Sequence, residues 1–387
     1  MYALSKKLLV EHLRLPIRSY LAELSKFALK SKINQKYMIN NRFFPYKPPY
    51  SLGEKLYRSG TILRASAAAI FQLARGHSSG FAASVEVTDR CNAGCHYCYV
   101  YPPEWNQQQR MQGYTQLPLK EHRQKEEQVF ETLERLYKKG VVHVTLVGGE
   151  TALAPKAVQR ASELFPIVWV VTNGAAKLPN LPRSAVIFVS IDGPPDYHNR
   201  SRDPLGYFVK HRYGELTGMS AAIVRNINES ERGAFCHITL TRPALEQFPA
   251  TVDWLVRDVK KLRGIVVSGA ATKDKSDPVT FHLQDRQMLK QMIAEQASKY
   301  GWELFPFNQP KVNKFLFDEK HLIYSPDSCS VAQLVESLDF DGTRVGKCVL
   351  RDETLCETCV CNMTGLTQAI MSIDIPTISG ILRASFG

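Results

Sequence analysis

Cys91, Cys95 and Cys98 stand close together in the stretch Val85-Glu86-Val87-Thr88-Asp89-Arg90-Cys91-Asn92-Ala93-Gly94-Cys95-His96-Tyr97-Cys98-Tyr99, spaced C-x3-C-x2-C. Three thiolates offered by so short a loop can hold one iron–sulfur cluster. A cubane takes a ligand on each iron, so three thiolates leave one iron open to a small molecule that binds through nitrogen and oxygen. Two plainer readings exist: a zinc site built on closely spaced thiolates, and apolar buried thiols that bind nothing.

Elements that would position these thiols are legible around them. From residue 81 onward, apolar and β-branched runs alternate with longer amphipathic stretches; the runs are 83–87, 142–147, 167–171, 186–191, 236–240 and 264–268. The segment 119–138, rich in Glu, Lys, Leu and Arg, predicts a helix between the first two. Strands alternating with helices predict an α/β fold with a parallel sheet covered by helices. In such sheets ligand sites gather at the carboxyl ends of the strands. Polar motifs follow four of the runs. The first leads into the cysteine loop, the second into Gly148-Gly149-Glu150-Thr151, the third into Thr172-Asn173-Gly174, and the fourth into Ser190-Ile191-Asp192-Gly193-Pro194. Glycines let a backbone come close to a ligand, since no Cβ intervenes, and Glu150 can accept a hydrogen bond from an ammonium. Asn-Gly and Asp-Gly are also ordinary turn formers. Ser190 and Asp192 alternate to the same side of their strand.

Together these motifs resemble the radical S-adenosylmethionine (radical SAM) superfamily, whose hallmark is the C-x3-C-x2-C loop with an aromatic before the last cysteine, here Tyr97. The resemblance covers residues 81–270 with four motifs in order. It implies a partial (β/α)6 barrel, a 4Fe–4S cluster on Cys91, Cys95 and Cys98, and S-adenosylmethionine at the open iron. It further implies Tyr97 along the adenine, and Gly148, Gly149 and Glu150 on the amino group of the methionyl moiety. Asn173 falls among the cofactor-binding positions, and Ser190 and Asp192 hold ribose or carboxylate. Thr151 stands where the family usually has Pro. In Asp196-Tyr197-His198-Asn199-Arg200-Ser201-Arg202, Arg200 or Arg202 can pair bidentately with a carboxylate or phosphate; Arg200 is the expected cofactor contact and Arg202 the solvated one.

The remaining cysteines are Cys236, alone in a strand-like run, and a C-terminal group, Cys329, Cys348, Cys356, Cys359 and Cys361. With Asp341-Gly342 ahead of Cys348, this group is similar to the twitch and SPASM extensions of radical SAM enzymes, which hold auxiliary clusters. That similarity implies Cys348, Cys356, Cys359 and Cys361 as ligands of a possible second iron–sulfur cluster, with structural zinc as the rival.

The 387-residue chain is 44% apolar and 22% charged, ordinary for a globular protein. Of nine cysteines, all but Cys236 cluster at ligand-like spacings; with no clean signal peptide, this predicts metal rather than disulfides and a cytoplasmic setting. Net charge is +12. The first 80 residues hold fourteen Lys and Arg against Glu11, Glu23 and Glu54, so nearly all the excess lies there. Leu8, Leu9, Leu13, Ile17, Leu21, Leu24 and Leu29 predict basic amphipathic helices over 1–33, suited to an anionic membrane surface or to packing on the core. Residues 42–50 read as a proline- and aromatic-rich connector, and 52–75 as a further helix. Three regions follow: a basic helical extension over 1–80, the radical SAM core over 81–304 and a cysteine-rich region over 305–387.

The resemblance implies an enzyme in which reductive cleavage of S-adenosylmethionine yields a 5′-deoxyadenosyl radical that abstracts hydrogen from a substrate. The electron comes from a one-electron reductant such as flavodoxin or ferredoxin. The basic N-terminus and apolar tail (Ile370, Met371, Ile373, Ile375, Ile378, Ile381, Leu382) point to a lipid or isoprenoid substrate and a peripheral place at the inner face of the membrane. The SPASM-like cysteines point to a peptide or protein instead. RNA ranks last, because no RNA-binding motif accompanies the charge. A non-catalytic zinc protein is the reading from another class.

Overall fold

The computed structural model describes residues 50–74, 80–101, 107, 110, 119–177, 185–209 and 218–386. The helices expected over 1–33 and the connector over 42–49 lie outside the described residues.

Helix α1 (Leu52–Ala74) comes first, then β1 (Ala82–Glu86), α2 (Leu119–Lys138), β2 (His143–Val147), α3 (Pro155–Leu164), β3 (Ile167–Thr172), β4 (Ala185–Ile191), α4 (Pro195–Arg202), α5 (Met219–Glu229), β5 (Ala234–Leu240), α6 (Phe248–Asp258), β6 (Leu262–Gly269) and α7 (Leu283–Tyr300). The C-terminal region adds α8 (Pro310–Phe317), α9 (Ser330–Leu334), β7 (Val335–Leu338), α10 (Asn362–Met371) and α11 (Ile375–Phe386). All six apolar runs are strands, and the helix at 119–138 forms as its composition requires: Val129, Leu133 and Leu136 are buried on one stripe.

Among the described residues the sheet has seven strands in the order β6-β5-β4-β3-β2-β1-β7, every pairing parallel. Strand β7 is the element the sequence pattern does not reveal. It is supplied by the cysteine-rich region and lies against the free edge of β1, with Ser84 opposite Ser337.

Side-chain alternation divides the sheet into two faces. One face carries Val85, Val168, Val170, Ile187, Val189, Cys236, Ile238 and Val267 and packs on the crossover helices. Cys236 is fully buried there as a small core residue. The other face carries Trp169, Phe188, Phe235 and Val266, covered by Phe307, Leu366 and Ala384 from the C-terminal region. The ring of Trp169 lies 5.0 Å from Phe188 and 5.5 Å from Phe307, and Phe188 stacks on Phe235 at 5.4 Å. This aromatic layer floors the second face. Further along the same strands, toward their carboxyl ends, that face turns polar: Glu86, Asn173, Ser190, Asp192, His237, Thr239 and Ser268.

Candidate functional site

The cysteine loop is laid directly on the glycine motif. The Val87 N–H donates to the Val147 carbonyl at 2.9 Å, Gly149 N–H to Thr88 O at 2.7 Å, and Glu150 N–H to Arg90 O at 2.5 Å. The chains leaving β1 and β2 therefore run side by side beyond the sheet. Gly148 sits at φ +119°, a conformation L side chains rarely adopt. A Cβ on Gly149 would stand 2.0 Å from Arg90 O, well inside contact distance. What the two glycines permit here is close approach of the cysteine loop. From the other side, Gly94 N–H donates to Arg202 O at 2.8 Å, and the Arg110 guanidinium donates to Cys95 O at 2.8 Å.

Cys95 is buried, Cys91 and Cys98 are half-buried, and all three are free thiols. Burial pushes the Cys95 thiol up to about 12. Burial raises Cys91 too, helped by the neighbouring Cys95, Glu150 and Cys98. Three negative sulfurs cannot share this space without a compensating positive core, which a metal cluster supplies by taking thiolates as ligands. Among the described residues, no group of three or more His, Cys, Asp or Glu side chains is arranged to hold a metal ion. A cubane takes each thiolate on a different iron, so it asks for sulfurs around a common space rather than convergence on one point. The donor set of the loop fits that group.

Glu150 is fully buried at the end of β2. Its carboxylate accepts from Ala152 N–H at 2.9 Å, from the Thr172 hydroxyl, and from Asn173 N–H at 2.7 Å. Burial raises its pKa against those three donors. Oε2 takes only the Asn173 bond and keeps acceptor capacity for a cation beside Cys91. Asn173 extends the link to the cysteine loop, donating from Nδ2 to Asn92 Oδ1 at 2.6 Å.

Asp192, at the end of β4, is the centre of a second buried network. Its carboxylate accepts from Arg202 Nη2 at 2.6 Å, Ser201 Oγ at 2.5 Å and Tyr97 OH at 2.5 Å, and Arg202 Nη2 also donates to Tyr97 OH at 2.9 Å. The Asp192 N–H donates to His198 Nδ1 at 3.2 Å. Burial alone would raise Asp192, but the Arg202 guanidinium overrides it and holds the carboxyl below the usual range. Burial holds His198 down to about 4, so it is a neutral acceptor. Ser190 is buried on the same face.

Of the residues singled out from the sequence, Cys91, Cys95, Cys98, Tyr97, Glu150, Asn173 and Asp192 come together in these two networks, with Gly148 and Gly149 between them. Arg200 does not: it is exposed on α4. The arginine that reaches the strand end is Arg202, expected from the sequence to be solvated and in fact 7% exposed. Both lie on one short helix, and only the helix's rotation decides which one turns inward. Asn92 and His198 are further members that sequence reasoning missed.

The C-terminal cysteines gather around a cavity of their own. Cys348, Cys356, Cys359 and Cys361 line one cavity together with Cys329, Arg286, His321 and Lys347. Cys329, left out of the sequence-derived ligand set, belongs to this group. Burial raises Cys348, Cys356 and Cys359 and pushes Cys361 up to about 12, with Cys329 adding to each. Arg286 ties the turn down, donating to Glu357 O at 2.8 Å and Cys359 O at 3.0 Å.

Arg351 joins the two centres. Its N–H donates to Cys348 O at 2.9 Å, its Nε to Tyr99 O at 3.1 Å, and its Nη2 to both Glu86 oxygens at 3.0 Å. It holds φ +68°, uncommon for a residue with a Cβ.

Residues 85–204 match the family model of the Radical SAM superfamily, a span that contains the cysteine loop, the glycine motif and the Asp192–Arg202 network. The match places a radical SAM-like domain over those residues, under a third of the chain. Among solved structures it is similar to anSMEcpe with bound AdoMet (13% identity, 79% of this chain and 81% of that one, TM-score 0.48). It is also similar to SuiB of Streptococcus suis bound to precursor peptide SuiA (13% identity, 82% and 71%, TM-score 0.47). Another similar structure is SuiB bound to S-adenosylmethionine (13% identity, 85% and 78%, TM-score 0.44). No curated protein matches the chain.

Proposed function

We propose that Cys91, Cys95 and Cys98 hold the 4Fe–4S cluster and that the enzyme acts on a lipid or isoprenoid. When bound, the cluster and S-adenosylmethionine supply one-electron cleavage of the sulfonium and a 5′-deoxyadenosyl radical that takes hydrogen from an unactivated C–H bond. The chain's own residues orient and enclose. Glu150 Oε2 accepts from the cofactor's ammonium, while Thr172 and the Asn173 N–H fix the carboxylate. Ser190 and the Asp192 network offer hydroxyl and carboxylate oxygens to the ribose. Tyr97, held by its hydroxyl between Asp192 and Arg202, presents its ring to the adenine. Cys348, Cys356, Cys359 and Cys361, with Cys329 beside them, are assigned to an auxiliary cluster.

One observation carries the substrate reading. The basic N-terminal charge leads into α1, where Leu52 is 75%, Leu56 66% and Tyr57 66% exposed. Ile370, Met371, Ile373 and Ile375 around α10 and α11 are exposed as well. Apolar side chains next to basic ones suit an anionic lipid surface. Among the described residues no helix is long and apolar enough to cross a membrane. The second reading, a peptide or protein substrate, is favoured by the cysteine cavity, and SuiB is a similar structure bound to a precursor peptide.

Sedimentation with anionic and with neutral vesicles tests the lipid reading: the full chain should pellet with the anionic ones, and equal recovery from both would count against it. Anaerobic incubation with S-adenosylmethionine and dithionite, read as 5′-deoxyadenosine, tests the radical chemistry.

A further inference from the structure

Toward the carboxyl ends of the strands, the second face of the sheet holds an imidazole that the cofactor reading does not use, beyond His143, which packs on Trp169 lower in the face. Residues Phe235 and His237 share that face, while Cys236 and Ile238 point to the helices. His237 therefore stands one step above the aromatic floor of Trp169, Phe188 and Phe235. Its register partner on β4 is Ser190, so it sits beside the proposed cofactor pocket. Its ring is anchored from behind. Nε2 lies 2.8 Å from Ser268 Oγ on β6, and Ser268 Oγ accepts from the Asn362 N–H at 3.1 Å.

Hydrogen-bond accounting favours one direction for this relay. Ser268 is buried, and its hydroxyl proton needs an acceptor. The Asn362 N–H is already a donor, so among the described residues the acceptor paired with Ser268 Oγ is His237 Nε2. The imidazole proton then resides on Nδ1, which makes no hydrogen bond among the described residues. The residue as a whole is half-buried. Burial, with the nearby Arg202 guanidinium, holds the imidazole down to about 4 despite Asp192, so it is neutral.

We propose that His237 contacts the substrate, offering Nδ1–H to a neutral oxygen (a carbonyl or hydroxyl) and so fixing which C–H bond faces the cofactor pocket. The proposal rests on the radical SAM reading of that pocket. It names a group the substrate must carry, whether lipid or peptide. The anchored relay gives the donor a fixed direction without a charge, which suits an uncharged oxygen better than a carboxylate or phosphate.

Two experiments test it. In the ¹⁵N-histidine-labelled full chain, the ring nitrogens of His237 should show a protonated Nδ1 and a bare Nε2 at neutral pH, and Ser268→Ala should mix the tautomers. A bare Nδ1 overturns the proposal. In the reconstituted holoenzyme, 5′-deoxyadenosine release is measured with and without a lipid extract or a peptide fraction of cells. For whichever pool stimulates the wild type, His237→Ala should lower the ratio of stimulated to unstimulated release by about tenfold. His237→Asn places an amide donor where Nδ1 stood and should recover part of it; His237→Gln places one where Nε2 stood and should not. An alanine variant stimulated like the wild type, or rescue by Gln and not Asn, overturns the proposal, the latter by assigning the effect to Ser268. Which pool stimulates decides the lipid reading separately. If neither does, that reading fails and the tautomer alone decides for or against His237.

Discussion

The two cysteine centres are built in opposite ways. Cys91, Cys95 and Cys98 come from one loop, held by backbone bonds to the ends of β1 and β2 and by the α4 terminus. The C-terminal thiols come from segments far apart in sequence, 329, 348 and 356–361, brought around one cavity and tied by Arg286. A site made by one loop can leave a coordination position open, because few ligands are in reach. A site assembled from several segments has ligands to spare and can close completely. The difference also sets what each centre depends on: the first on strand-end geometry, the second on the packing of the whole C-terminal region.

The sharpest way to break the contrast is to remove one thiol from each. Cys95→Ser should abolish 5′-deoxyadenosine formation, whereas Cys356→Ser should lower iron and sulfide content while that cleavage persists. Loss of cleavage in both, measured by chromatography after anaerobic reconstitution, would make the two centres one unit.

Next in size is the buried ion pair. Arg202→Met leaves Asp192 charged and fully enclosed, and should cost about 3–5 kcal/mol in denaturant unfolding. Arg351→Met should cost less, about 1–2 kcal/mol, since Arg351 is 26% exposed and Glu86 can take up a proton instead. Equal losses would erase the distinction.

Gly149→Ala drives a Cβ into the Arg90 carbonyl and should destabilise by roughly 2–4 kcal/mol. On the proposed assignment, iron retained by the Cys91–Cys98 loop should fall more than any iron retained by the C-terminal thiols.

The subtlest effect to read out is a pH dependence. Burial raises Glu86 to about 7, against the pull of Arg351. Its folded pKa lies above the unfolded value, so its contribution is fully favourable below about 4.5 and is lost as pH rises through about 7. Stability should fall across that window by on the order of 2 kcal/mol, and Glu86→Gln should flatten the slope in pH-resolved melts. Asp192, held low, contributes the reverse sign and only below the ordinary carboxylate range.

Much of the core was legible because it is local. Each apolar run is a strand, and each polar motif follows the strand that carries it. What escaped reading depends on partners distant in sequence. Val335-Glu336-Ser337-Leu338 has no long apolar run, and becomes β7 only because β1 offers it an edge. Arg202 and Arg200 are indistinguishable until α4 is docked. Cys329 is separated from the other thiols in sequence and joins them only through the cavity. Arg351 is one basic residue among many until Glu86 and the Tyr99 carbonyl face it.

That last strand carries a consequence for biosynthesis. Its pairing partner is the first strand of the sheet, so the outer rim of β1 stays bare until residues 335–338 have emerged from the ribosome. Throughout that interval the segment that seals the rim is still unmade, so the first strand of the sheet is finished only by a segment about 250 residues downstream.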